Sequence, residues 1–165
     1  MLVHFPIALL TVYALVELVR IKSIQENPQT FTLKAFLSIL GALSLVITFQ
    51  SGELIEHAFA VGDMALLVER HSTFALASYV LFAILAIGYL GQTLARLLPG
   101  KAFWKTVVGA SVIRLSATIT SKFVAPVLAL IGLITLTITG ALGGAIAQGP
   151  DIDPIVTLMY HLFVR

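Results

Sequence analysis

Cysteine is missing from the chain, which excludes disulfides, thiolate metal sites, iron–sulfur ligation within the chain and covalent c-type haem attachment. Any bound metal must use nitrogen, oxygen or methionine sulfur. Charge is nearly as scarce: Asp, Glu, Lys and Arg make up 11% of the 165 residues, against 59% hydrophobic. With a mean hydropathy of +1.03, there is too little polar side chain to cover a water-soluble domain. The chain is therefore expected to live in a bilayer. It also shows no nucleotide-binding loop and no nucleophile with an assignable base. No charged residue is expected deep within a span, where it would mark a transport path.

What is present is long apolar helix. Leu2 to Val19 reads as the first span, because Met1 to Val19 lacks a basic n-region and a small-x-small cleavage site. Asn27-Pro28 marks the following turn. The second span runs from about Leu33 to Thr48 and continues as a more polar helix through Gln50, Glu53 and His57. The third is expected to open near His71 or Ser72 and to stop at Pro99-Gly100. The fourth covers about Val124 to Ala147, with Pro126 in its first turn and Gly149-Pro150 at its end. Pro154 to Phe163 reads as a short surface helix. The expected fold is all-α: one integral membrane four-helix bundle over residues 1–165, since each span needs roughly 20 apolar residues.

Between Lys101 and Lys122, apolar residues recur at near-helical spacing around Arg114. An interfacial amphipathic helix fits this segment best. A fifth span would put Arg114 near the bilayer centre at a cost of roughly 3 kcal/mol or more.

Four spans place Arg20, Lys22, Lys34, Arg96, Lys101, Lys105, Arg114 and Lys122 on one side and only Arg70 and Arg165 on the other. The basic side is read as cytoplasmic, so both termini face outward, to the periplasm if the membrane is a bacterial inner membrane. Because the basic residues are grouped by membrane side, the net charge of +2 does not suggest a nucleic-acid partner.

This topology gathers all four histidines at the outer end. His4 precedes Phe5-Pro6 at the mouth of the first helix and could point into the bundle or stay solvated among headgroups. His71 follows Glu69-Arg70 and could be a ligand, a cap or a surface residue. Gln50, Glu53 and His57 share one stripe of the second helix, so Glu53 could co-ligate a metal or orient the His57 ring. The same stripe could equally mark a helix emerging into water. His161, beside Tyr160, is expected to be solvent-exposed. Gly140 and Gly144 form one GxxxG step, with Gly143 and Ala147 as a parallel small pair, which suits close helix packing or a planar cofactor.

VHFPIALL at Val3 to Leu10, Ser51-Gly52-Glu53, Glu69-Arg70-His71, and the run Thr139-Gly140-Ala141-Leu142-Gly143-Gly144 resemble motifs of a bacterial membrane family called domain of unknown function 2231. The resemblance implies a four-helix membrane protein with a part in electron transfer, and carries over to His4 and His71. The chain departs from the family where a histidine-proline pair would precede the opening motif, and where Gln148-Gly149 replaces a histidine-glycine.

Together these readings lead to a membrane electron-transfer subunit holding a b-type haem near the outer face. His4 and His71 would be its axial ligands, His57 the reserve, and Arg70 a partner for a propionate. Its partners would be lipid, quinol and membrane or periplasmic redox subunits. The alternatives are a cofactor-free structural anchor of a larger complex, or a zinc or copper site built from His57, His71 and Glu53, with His4 a further candidate ligand.

Overall fold

The computed structural model describes residues 3–19, 21–59 and 62–164, with side chains for all of these except 55–59 and 63. All regular structure among the described residues is helical, with no strand. The helices are α1 (His4–Leu18), α2 (Lys22–Gln25), α3 (Pro28–Phe59), α4 (Ala65–Leu97), α5 (Val107–Ile119), α6 (Val124–Gln148) and α7 (Pro154–Phe163). Single 3₁₀ turns precede α4 and α5.

The boundaries follow local chemistry. Asn27 Oδ1 accepts from the Gln29 amide at 2.9 Å, and Pro28 starts α3 without an amide to leave unsatisfied. Gly149 ends α6 at φ +99°, a conformation that costs glycine nothing. Asp153 then caps α7 by accepting from Ile155 and Val156 amides at 2.8 and 3.0 Å.

Three helices, α3, α4 and α6, are long and apolar enough to cross a membrane. In their most apolar windows only 33%, 39% and 33% of the residues, respectively, are buried within the protein. The remaining apolar surface, including Leu43, Ile47, Ile87 and Val127, therefore suits lipid rather than water. Helix α1 is as apolar in character but has 15 residues, about 22 Å of rise.

α1 packs on α3 and α6, and α4 packs on the same two helices. Leu10 and Tyr13 of α1, Leu37 and Leu45 of α3, Phe82, Leu85 and Tyr89 of α4, and Ala129 and Leu136 of α6 form the main core. Gly41 admits α1 closely, since a Cβ there would lie 2.5 Å from Leu10 Cδ2. α4 and α6 run antiparallel: His71 meets Thr139, Ser78 meets Thr135, and Phe82 packs over Gly132.

One expectation needs correction. The third long helix opens at Ala65, not at His71 or Ser72. Ala65 to Val68 are apolar, and burying Leu67 against the α6–α7 cluster, with Val68 buried beside it, stabilises an extra turn and a half ahead of the histidine. The 101–122 segment is a 3₁₀ turn followed by α5, whose 13 residues are too few for a crossing. α5 folds back antiparallel along the end of α4, with Ile119 over Gly88, Ser116 over Gly91 and Gln92 donating to Thr120 Oγ1 at 2.6 Å. Arg114 is on its exposed side.

Candidate functional site

His71 sits in the second turn of α4, half-buried on the seam with α6. Its Nδ1 lies 3.0 Å from the Thr139 carbonyl oxygen. A carbonyl can only accept, so Nδ1 carries a proton, and in the neutral ring Nε2 carries the lone pair able to bind a metal. Gly143 lies one helical turn beyond Thr139. A Cβ at this glycine would approach His71 Cε1 to 3.0 Å, so the ring owes its position to the absent side chain as well as to the hydrogen bond. Backbone-anchored imidazole of this kind is a common arrangement in metal and haem ligands.

The other expected site residues are placed less tightly. His4 occupies the first turn of α1 and is exposed; Arg70, Glu53 and His161 are exposed too. His57 is on α3, as the sequence suggested, but its side chain lies outside the described residues. Among the described residues, no three His, Asp or Glu come together as a metal site.

At the same end a groove of about 420 Å³ runs between α1, α6 and the start of α7, lined by Ile7, Thr11, Gly140, Gly144 and Val156 among others. It lies on the α1 side of α6, whereas His71 lies on the α4 side, against Gly143. The two small-residue pairs thus serve different neighbours. Gly143 seats the histidine and Gly140 floors an open groove, with nothing within 4 Å of the Cβ it lacks.

Sequence reasoning missed the most heavily buried polar cluster, at the opposite, lysine-rich end. Glu17 and Lys34 are 5% and 7% exposed, and Glu17 Oε1 is 3.3 Å from Lys34 Nζ. Glu17 Oε2 accepts a hydrogen bond from the Tyr89 hydroxyl at 2.7 Å. Lys34 also donates to Gln25 Oε1 at 2.6 Å, and Gln25 Nε2 in turn donates to the Val16 carbonyl at 2.9 Å and to that of Val19. These carbonyls close α1, where orphan acceptors need partners. Both charges stand near the ends of the first and second spans as read from the sequence, not deep within them, but their burial against one another was not foreseen. A signal was available: Tyr13 and Glu17 stand i,i+4 on a helix otherwise almost without polar residues, and so share one face.

Beside this cluster, the Arg96 guanidinium stacks 3.4 Å from the Phe31 ring centroid, a cation–π contact. Phe31 in turn packs on Tyr89.

Compared with protein-family models, with curated proteins and with solved structures, the chain matches none.

Proposed function

We propose that the chain is a four-span bacterial inner-membrane protein, α1 crossing alongside α3, α4 and α6, with both termini on the outer side. In this reading it is an electron-transfer subunit that receives a b-type haem at its histidine-bearing end. The observation that carries the reading is the fixed ring of His71, held by Thr139 and seated against Gly143. Its donor chemistry fits an axial ligand.

His4, one turn ahead of Ile7, is the second ligand in this proposal, with His57 in reserve, Arg70 for a propionate and Glu53 as an outer acceptor. Such a haem, when bound, supplies reversible one-electron transfer between quinol or a membrane partner and a periplasmic redox protein. The chain's own part is to fix the His71 tautomer and to exclude water through the apolar core beneath it. The motif resemblance described above agrees with this role. α1 reaches the membrane thickness only with its flanking residues, and its packing on both α3 and α6 supports counting it as a span.

The test is the visible spectrum and metal content of protein purified from membranes. A Soret band with resolved α and β bands, lost on His71→Ala and on His4→Ala, is expected. Haem retained in both variants overturns the ligand pair, and a colourless, metal-free protein overturns the cofactor.

A second reading, a cofactor-free anchor subunit, is favoured by the exposure of His4, Arg70, Glu53 and His161 and by the open glycine-floored groove. Recovery of a colourless chain only together with other membrane subunits would support it.

A further inference from the structure

Between His71 and Pro150 the chain carries five basic residues, Arg96, Lys101, Lys105, Arg114 and Lys122, and no acidic one. Basic charge gathered on one side of a membrane is what topology alone requires. Topology does not require the apolar side chains that stand among these charges. α5 turns its smallest residues inward: a Cβ on Gly109 would strike the Phe103 carbonyl, and Ser116 lies over Gly91. Left outside are Val107, Leu115 and, just beyond the helix, Phe123, which are 84%, 62% and 68% exposed. Water does not favour a helix whose free face carries apolar side chains.

We propose that the segment from Lys101 to Phe123 is a docking surface for anionic phospholipid, with Lys101, Lys105 and Arg114 meeting the headgroup charge and the apolar side chains entering the layer beneath.

The placement of α5 favours this occupant. The α4–α6 register, with Phe82 over Gly132, sets Ala125 beside Tyr89, and both belong to the main core. The stretch of α4 from Leu90 to Leu97, about 12 Å of rise, therefore projects past the start of α6, and α5 stands against it. The headgroup layer occupies about 5–8 Å beyond the hydrocarbon on each side, so α5 is held where headgroups lie. It leads through residues 120–123 directly into α6, a helix long and apolar enough to cross a membrane, which makes its surface continuous with lipid. Trp104, the single tryptophan, is half-buried at the same place, with its Nε1 donating to the Leu98 carbonyl at 3.0 Å. Tryptophan is the residue type enriched in this layer. A second copy of the chain is a poor occupant, because the same basic residues would face one another across a two-fold interface. Clusters of lysine and arginine beside membrane helices recognise anionic lipid through charge in the same way.

The inference rests on the apolar helices crossing a bilayer and not on the haem, so either can fail alone. The experiment uses Trp104 as a built-in reporter. The full chain is placed in nanodiscs of phosphatidylcholine and phosphatidylglycerol, one lipid or the other being brominated on acyl carbons close to the headgroup, and the quenching of tryptophan fluorescence is compared. Stronger quenching by brominated phosphatidylglycerol at equal mole fraction is expected, and it should weaken at about 1 M salt, where the screening length is about 3 Å. Lys105→Gln and Arg114→Gln, both at exposed positions, should each reduce the preference, by up to about fivefold per charge. Lys22→Gln, on α2 and paired with Glu26, should leave it unchanged. Equal quenching by the two lipids, or an equal loss in Lys22→Gln, overturns the proposal. Quenching by neither lipid overturns it as well, and would leave the surface to an acidic protein partner.

Discussion

The Tyr89 hydroxyl donates to Glu17 Oε2 at 2.7 Å, across 72 positions of sequence, and so ties α4 to α1, two helices that otherwise meet mainly through α3 and α6. Tyr89→Phe removes that donor and leaves a buried carboxylate oxygen unsatisfied. The expected loss of stability is about 1–3 kcal/mol. Unfolding of the purified protein in mixed micelles measures it, and an unchanged midpoint would show that the bond does not persist.

Breaking the ion pair should cost more than removing it whole. Lys34→Met alone strands the Glu17 carboxylate, with an expected cost of about 3–5 kcal/mol, whereas combining it with Glu17→Leu should recover most of that loss. The pair is 8% and 6% exposed at its side chains, so solvent screening does little to soften the single change. Equal midpoints for the single and double variants would contradict the argument.

Gly143 and Gly140 separate two kinds of small residue on one helix. Gly143→Ala pushes a methyl group to 3.0 Å from His71 Cε1, and should destabilise by about 1 kcal/mol or more through overpacking. Gly140→Ala meets nothing within 4 Å and should be neutral or gain up to about 1 kcal/mol from helix propensity. If haem is present, its retention should fall only in the first variant. The same ranking in thermal unfolding checks the geometry where the protein is colourless.

Because the natural chain has no cysteine, single-cysteine variants report topology without background labelling. With four crossings and outward termini, Asp151→Cys should react with an impermeant maleimide in intact spheroplasts, and Lys101→Cys only after the membrane is opened. Reaction of both from the same side would remove α6 from the count of crossings or add α5 to it.

Asp153 carries the N-terminus of α7 through two amide hydrogen bonds. Asp153→Ala is expected to cost about 1 kcal/mol and to raise hydrogen exchange across residues 155–163 more than elsewhere. Uniform protection would show that Val156, packed with Leu67 and Leu142, holds the helix without its cap.

Helix content and most boundaries were legible because they depend on local chemistry. Pro126 and Pro154 stand in first turns and Gly149 follows a last one, as read from the sequence, whereas Pro28, read as part of a turn, opens α3 five residues ahead of the expected Leu33. The start of α4 was not legible, since Leu67 joins the helix through packing with residues far along the chain, Ile138 to Val156. At the histidine end, the sequence indicated His71 but could not show that Thr139 and Gly143 fix its ring, a relation between two helices. At the other end, Glu17 was not singled out from the sequence. Only the approach of Lys34, Tyr89 and Gln25 turns it into an interior group, and helix periodicity carries no information about which side chains converge from neighbouring elements.

The buried pair also bears on how the chain is made. Glu17 leaves the ribosome before its counter-charge, which stands 17 positions later at Lys34, and on the proposed four-span reading α1 has only 15 residues with which to hold itself in lipid. A lone carboxylate on so brief a segment disfavours independent insertion. On that reading α1 should linger at the translocon until α3 arrives, the two partitioning together as a hairpin, with Leu10 already nested on Gly41.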